Sequence, residues 1–160
     1  MIEAIKENDI PACVKLIQES FATVAEQFGL TTENAPRFTA FATTEGRLLR
    51  QFAEERRPMY AFRDGNRMVG YYSLLLKNSE ECELNNLCVS PACRHGGIGE
   101  KLLLHAFSTA KALGCSKVSI GIVEENIVLR SWYESFGFIH AGTKKFDFFP
   151  FTCGYMEKNL

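Results

Sequence analysis

The sequence reads Val89-Ser90-Pro91-Ala92-Cys93-Arg94-His95-Gly96-Gly97-Ile98-Gly99 at the point where a β-rich run passes into a long amphipathic run. Glycines let a backbone pass close to a bulky anion, because they carry no side chain. The first turn of a helix adds unpaired N–H groups and a partial positive charge. A strand, a glycine-rich turn and a helix in this order predict a phosphate-binding loop, although a tight turn that needs glycines only for bending is an alternative.

The runs on both sides of this loop have clear periodicities. Glu81 to Val89 predicts a strand. From Gly97 to Leu113 the apolar residues recur every three or four positions, and Gly114 ends the predicted helix.

The N-terminal third is less regular. Ile2 to Ile5 predicts a short strand, and Asn8 or Asp9 is expected to cap a helix with Pro11 in its first turn. Ala22 to Pro58 lacks a clean apolar stripe and predicts two loosely defined helices.

The remaining segments predict strands and one further helix. Met59 to Lys77 is typical of a β-hairpin that turns at Asp64-Gly65-Asn66. Downstream we expect a strand over Lys117 to Val123, a helix over Asn126 to Phe136 and closing strands over Phe138 to Thr143 and Thr152 to Lys158. No linker or repeat interrupts them, which predicts one α/β domain over residues 1–160 with a mixed sheet.

Composition narrows the class of protein. The chain is 46% hydrophobic and 23% charged, as globular proteins are, and its net charge of -1 with scattered basic residues argues against nucleic-acid binding. Six cysteines without a secretory signal predict free thiols and a cytoplasmic location. No apolar run approaches 18 residues and no paired C-x-x-C units occur, so we expect neither a membrane span nor a metal site.

Two common nucleotide-binding motifs fail on spacing. A Walker loop requires G-x-x-x-x-G-K-[ST], but Glu100 follows Gly99. A Rossmann fingerprint requires a third small residue, which is missing after Gly97-Ile98-Gly99. An unrelated α/β nucleotide-binding domain stays as a weaker alternative.

Arg94 to Gly99 resembles the R/Q-x-x-G-x-G/A signature of the GCN5-related N-acetyltransferases (GNAT family). A second block, also similar to that family, comprises Asn126, Leu129, Trp132, Tyr133 and Phe136-Gly137-Phe138. The resemblance extends from Met59 to the end of the chain. It implies the acyl-CoA N-acyltransferase fold, a mixed, mostly antiparallel sheet flanked by helices, and acetyl-CoA as co-substrate without a metal.

The resemblance also implies a set of cofactor-binding residues. The pyrophosphate would lie at the loop, the pantetheine arm would pair with the backbone of residues 87–89, and the Val89 N–H would stabilise an oxyanion. Asn126 would bind the arm, although a helix N-cap is an alternative. The expected residues are Leu87, Cys88, Val89, Arg94, His95, Gly96, Gly97, Ile98, Gly99, Glu100, Asn126 and Tyr133. Family members often have Lys or Arg where this chain has Gly96, so backbone N–H groups, Arg94, His95 or Lys101 must bind the phosphates.

Acetyl transfer to an amine requires a base. An alkylammonium with a pKa of roughly 10.4 is protonated at pH 7, and exposing its lone pair costs about 4 to 5 kcal/mol. The resemblance implies Glu83 as that base, although a solvated surface charge is an alternative, and strand alternation places Glu83, Leu87 and Val89 on one face unless a bulge intervenes. It implies Tyr133 as the acid that protonates the leaving thiolate, with a core aromatic as the alternative.

The expected acceptor is the primary amine of a small metabolite, with a peptide N-terminus or lysine as the second candidate. The aromatic segments Ala22 to Phe62 and Phe146 to Phe151 predict a confined, partly apolar pocket in which Glu83 or Asp147 attracts the ammonium. A CoA-binding regulatory module without turnover is the alternative function. Exposed sheet edges and aromatic residues make a homodimer possible.

Overall fold

Seven strands and five α-helices make up the structure, a computed structural model that describes all 160 residues. The strands are β1 (Ile2–Ala4), β2 (Met59–Asp64), β3 (Arg67–Leu76), β4 (Glu81–Val89), β5 (Lys117–Val123), β6 (Ile139–Lys145) and β7 (Thr152–Asn159). The helices are α1 (Ile10–Phe28), α2 (Thr39–Ala42), α3 (Glu45–Ala53), α4 (Ile98–Ala112) and α5 (Ile127–Ser135). Short 3₁₀ turns lie at Glu7–Asp9 and Pro91–Cys93. The predicted strands and helices are confirmed, with ends that differ by a few residues.

All seven strands join one sheet in the order β1-β2-β3-β4-β5-β7-β6. Every neighbouring pair is antiparallel except β4 with β5. This parallel pair is short, because only Glu81–Glu83 pair with Lys117–Ser119. The strands part beyond that point, so the second half of β4 has an open edge. The mixed, mostly antiparallel sheet that the resemblance implied is confirmed.

Helices cover both faces of the sheet. The core between the sheet and helices α4 and α5 includes Leu74, Leu84, Leu102, Val118, Tyr133 and Met156. The core on the α1 and α3 side includes Ile17, Leu48, Ala61, Tyr71 and Cys88. Phe38, Val123 and Phe151 belong to a third core that fills the space beside β5 and β7. The face on which a side chain lies therefore decides which helices it meets.

A β-bulge interrupts β4. Tyr71 pairs with Cys88 and Ser73 pairs with Asn85, so two residues of β4 stand opposite one residue of β3. Within the bulge Asn86 has a left-handed backbone with φ of 54°. The extra residue reverses the alternation of side chains along the strand.

The predicted alternation of β4 across the bulge is wrong for this reason. Glu83 and Asn85 face α3, where they line a pocket with residues of that helix. Leu87 and Val89 instead pack against the core on the α4 side. Glu83 is thus separated by the sheet from the side chains with which it was expected to share a face.

The segment before β2 follows its weak pattern only loosely. The first helix runs on to Phe28, past the expected end, and two shorter helices follow it. Asp9 precedes α1, but its carboxylate accepts hydrogen bonds from the Lys6 N–H at 2.8 Å and from Arg63 at 2.7 Å. Asp9 therefore fastens the chain entering α1 to β2 and does not cap the helix with its side chain.

Gly70 on β3 allows α4 to approach the sheet. A Cβ atom at this position would lie 2.7 Å from Leu102 Cδ1 and 3.2 Å from Ile98 Cγ2. Ile98 is the first residue of α4, so this contact sets the height of the helix N-terminus above the sheet.

We expect Gly70→Ala to lower the free energy of unfolding by about 1–3 kcal/mol, because the added methyl group overpacks this contact. Gly46→Ala is the matched control, since a Cβ there meets nothing within 4 Å and α3 gains a better helix former. Urea denaturation measures both. Equal stability of Gly70→Ala and the parent protein would contradict the close approach.

Candidate active site

The loop between β4 and α4 ends at an open helix N-terminus. Gly97 has φ of 81°, which leads the chain into α4, and a Cβ on it would meet no atom within 4 Å. No side chain caps the helix, and the first bond of its ladder runs from the Lys101 N–H to the Gly97 carbonyl. The N–H groups of residues 98–100 are therefore free to bind an anion in the open space above the loop.

Arg94 fastens this loop to α1. Its guanidinium donates to the Val89 carbonyl at 3.2 Å, to Thr23 Oγ1 at 2.9 Å and to the Ser20 carbonyl at 2.9 Å. The Ser20 hydroxyl also donates to the Val89 carbonyl, at 3.2 Å. The side chain that was expected to bind phosphate thus has protein partners on two elements.

The other expected loop residues surround the same space. His95, Gly96 and Glu100 are exposed, and His95 has a left-handed backbone with φ of 65°. Ile98 and Gly99 are half-buried, and a Cβ on Gly99 would lie 3.6 Å from Trp132 of α5. The loop is therefore exposed on its outer side and packed on its inner side.

The open edge of β4 lies next to this loop. The Ser90 N–H donates to the Val69 carbonyl of β3 at 2.7 Å. Successive N–H groups of a strand point to opposite edges, so the Val89 N–H points to the edge that β5 has left. An extended chain with amide groups can pair with such an edge.

Asn126 is the N-cap of α5 and is 8% exposed. Its Oδ1 accepts a hydrogen bond from the Leu129 N–H at 3.2 Å. The N-cap interpretation is confirmed, and the Nδ2 group remains available to a ligand.

Tyr133 lies on α5 and belongs to the core between the sheet and α4. It is 6% exposed, and its ring packs against Phe138 with centroids 5.3 Å apart. Burial raises the pKa of its hydroxyl above the ordinary value, and the charge of an ionised Cys88 would raise it further. Tyr133 is therefore protonated at neutral pH and has a proton to donate.

Cys88 does not have the character of a nucleophile. The residue is 7% exposed, and burial raises the pKa of its thiol to about 12. A thiol with so high a pKa carries very little thiolate at neutral pH. Cys88 is therefore poorly suited to a covalent acyl-cysteine step.

Glu83 is the first residue in a series of polar side-chain contacts. Its carboxylate accepts a hydrogen bond from Asn85 Nδ2 at 2.6 Å, and Asn85 Oδ1 accepts one from Arg57 at 3.0 Å. Arg57 also pairs with Glu55 at 2.6 Å. These contacts hold the carboxylate toward the α3 face of the sheet, just before the bulge.

A cavity of about 230 Å³ adjoins Glu83. It is lined by Arg37, Thr39, Thr43, Arg47, Leu48, Gln51, Arg57, Leu75, Glu83, Asn85 and Asn86. Asn86 is the bulge residue, so the cavity reaches the point where β4 and β5 separate.

The cavity beside Glu83 is lined largely by residues of the predicted segment Ala22 to Phe62, but it is polar and not aromatic. Phe38 packs edge-on against Phe21, Phe41 and Phe151, with ring centroids about 6 Å apart. These rings fill a core, while the cavity beside Glu83 is polar and Asp147 is absent from its lining.

Two residues near Glu83 were not predicted to belong to the site from the sequence. Burial raises the pKa of Tyr155, and the charges of Cys153 and Glu83 add to the rise, which places this phenol near the carboxylate. Ser119 pairs with Glu83 in the sheet and has a buried hydroxyl without a hydrogen-bond partner. Only the pairing of β5 with β4 and β7 brings them to the site.

No cluster of three or more histidine, cysteine, aspartate or glutamate side chains has the arrangement of a metal site. None of the helices combines the length and hydrophobicity that crossing a bilayer requires.

Known proteins share this architecture. A family model described as Acetyltransferase (GNAT) family matches residues 23–138. An uncharacterized N-acetyltransferase from Mycobacterium bovis is 25% identical over 114 residues, covering 71% of this chain and 73% of that protein.

Solved structures agree with the fold. PaiA N-acetyltransferase from Thermoplasma acidophilum, in complex with coenzyme A, superposes with a TM-score of 0.86 at 20% identity, covering 100% of this chain and 98% of that one. The ribosomal-protein-S18-alanine N-acetyltransferase from Escherichia coli gives 0.78 at 18% identity, covering 99% and 92%. A GNAT family acetyltransferase from Elizabethkingia anophelis with acetyl-CoA bound gives 0.64 at 22% identity, covering 71% and 82%.

Fold, loop and open strand edge thus define an acyltransferase that uses acetyl-CoA to acetylate an amine. The chain belongs to the Acetyltransferase (GNAT) family.

We expect Arg94→Gln to lower the free energy of unfolding by about 1–2 kcal/mol, since it removes charge-assisted hydrogen bonds between the loop and α1. Arg47→Gln should leave it unchanged, because the Arg47 side chain makes no ion pair or hydrogen bond. Thermal and urea unfolding of the two variants provide the comparison. If both unfold at the same midpoint, the tie to α1 contributes nothing to stability.

Proposed function

We propose that this protein transfers the acetyl group of acetyl-CoA directly to the primary amine of a small molecule. The observation that carries the proposal is that Glu83 lines a cavity on one face of the sheet, beside the point where β5 leaves β4, while Tyr133 belongs to the core on the other face. An acceptor in the cavity beside Glu83 and a thioester along the open edge of β4 would meet at that point.

The cofactor fits the features of the loop and the strand. In this proposal the N–H groups of Ile98, Gly99 and Glu100 bind the pyrophosphate, while His95, Gly96 and Gly97 leave room for it. The backbone of Leu87, Cys88 and Val89 pairs with the pantetheine arm, and Asn126 Nδ2 donates to it. Arg94 positions the loop, and its remaining N–H groups add positive charge.

Two side chains then carry the proton transfers. Bound acetyl-CoA supplies a thioester whose C–S bond breaks as the amine nitrogen forms the new C–N bond. The acceptor arrives as an ammonium ion, and Glu83, directly or through water, takes the proton that frees its lone pair. Tyr133 gives its proton to the departing thiolate, and its raised pKa keeps that proton available at neutral and mildly alkaline pH. The nitrogen loses a second proton after the C–N bond forms, and water returns a proton to Tyr133. The products are a neutral amide and a neutral thiol, and Glu83 releases its proton to solvent.

The size of the cavity favours a small acceptor over a protein. Its volume of about 230 Å³ is below the roughly 300–1,000 Å³ of pockets that take drug-sized ligands. All six cysteines are free thiols, which supports the cytoplasmic location that we propose.

Thiol release from acetyl-CoA in the presence of a panel of amines tests the activity. Tyr133→Phe should lower kcat about a hundredfold, because the leaving thiolate loses its acid, while the Kd for acetyl-CoA measured by calorimetry stays within about twofold. Phe136→Leu is the control for packing, because Phe136 is the half-buried C-cap of α5, three residues after Tyr133. An unchanged kcat in Tyr133→Phe would remove this residue from the mechanism.

Glu83→Gln should also lower kcat about a hundredfold at pH 7, since an amide cannot accept the amine proton. The deficit should shrink as the pH rises from 7 to 9, because the fraction of unprotonated acceptor grows about tenfold per pH unit below its pKa of roughly 10.4. Glu80→Gln is the control, since Glu80 is exposed and three residues before Glu83. A deficit that does not change with pH would argue that Glu83 only shapes the pocket.

A further inference from the structure

The cavity beside Glu83 is rich in positive charge. Three of its eleven lining residues are Arg37, Arg47 and Arg57, and its single carboxylate is Glu83. Only Leu48 and Leu75 are apolar. A pocket that bound nothing but an alkylamine would gain no affinity from this arrangement, because the acceptor would arrive as a cation.

The three arginines differ in their partners. Arg57 is neutralised by Glu55 at 2.6 Å and donates to Asn85 at 3.0 Å. Arg37 and Arg47 form no ion pair. The Arg37 guanidinium lies 4.3 Å from the centre of the Phe148 ring, which holds it beside the cavity without a counter-ion.

Both of these guanidinium groups lack a counter-ion in the protein, and an anion bound in the cavity would supply one. The planar fork of arginine matches the oxygens of carboxylates and phosphates. Gln51 also lines the cavity, is 6% exposed, and has an amide oxygen that no donor of the protein reaches. Such an oxygen is suited to a ligand that also carries N–H groups.

We infer that the acceptor is a small amine that also carries an oxyanion group, a carboxylate or a phosphate, which Arg37 and Arg47 bind while the amine faces Glu83. The inference rests on the proposed function, because it takes this cavity to be the acceptor site. It also predicts discrimination against polyamines, whose second ammonium would lie beside two guanidinium groups.

Calorimetry on the protein saturated with coenzyme A tests binding apart from turnover. The probes are matched pairs that differ by the anion: phosphoethanolamine with ethanolamine, 4-aminobutanoate with butylamine, and leucine with isopentylamine, with 1,4-diaminobutane as the dication. We expect at least one probe with an anionic group to bind about tenfold or more tightly than its partner without that group. Equal or tighter binding of the amines without an anionic group or of the dication, or no binding of any probe that carries an anionic group, would overturn the inference.

Arginine variants then locate the anion. Arg47→Gln and Arg37→Gln should each weaken binding of the probe that carries the anionic group about tenfold, and neither should weaken binding of its partner without that group. Arg50→Gln is the matched control, because Arg50 lies on the same helix as Arg47 with its side chain 60% exposed and outside the cavity. Equal losses in all three variants would indicate a general charge effect and contradict the assignment.

Thiol release with the same probes separates this inference from the proposed function. Tight binding of an anionic amine without release would uphold the oxyanion site and contradict the transferase proposal. Release only with amines that lack an anionic group would uphold the transferase and overturn the oxyanion site.

Discussion

Backbone groups inside a protein must find hydrogen-bond partners, and beyond Glu83 the edge of β4 that faces β5 has no strand partner. At its far end the Val89 carbonyl accepts from Ser20 and Arg94, while the Val89 N–H is left for a ligand. The end of β4 leads through the loop into α4, so the open edge continues toward the helix N-terminus. Had the parallel pair continued past Glu83, β5 would satisfy this edge and close it to a ligand.

The bulge at Asn86 changes the face of the sheet on which the side chains of β4 lie, close to the point where β4 and β5 separate. Before it, Glu83 faces the helices that build the cavity, and after it Leu87 and Val89 pack under α4. A single extra residue thus places the proposed base on the acceptor side, while the strand continues toward the phosphate loop. The left-handed backbone at Asn86 carries the steric cost of this arrangement.

Elements whose pattern lies within one segment could be predicted from the sequence, whereas features that depend on contacts between segments could not. The helix after Gly97 and the strand Glu81–Val89 follow from periodicity within one segment, and both were predicted. The bulge depends on pairing with β3, so the predicted face of Leu87 and Val89 was wrong. Arg37 and Arg47 lie in the segment that lacks a clear apolar stripe, and neither residue belongs to a recognisable sequence motif. Tyr155 and Ser119 reach the site only through the order of the strands.

Arg94 links the end of β4 to α1. Helix α1 in turn packs against α3, which carries Arg47 and Gln51 of the cavity. A contiguous set of packed elements thus connects the loop before α4 with the cavity beside Glu83. If these contacts couple the two sites, thermodynamic reciprocity requires that whatever factor the nucleotide contributes to acceptor affinity, the acceptor returns to nucleotide affinity, whichever of them binds first.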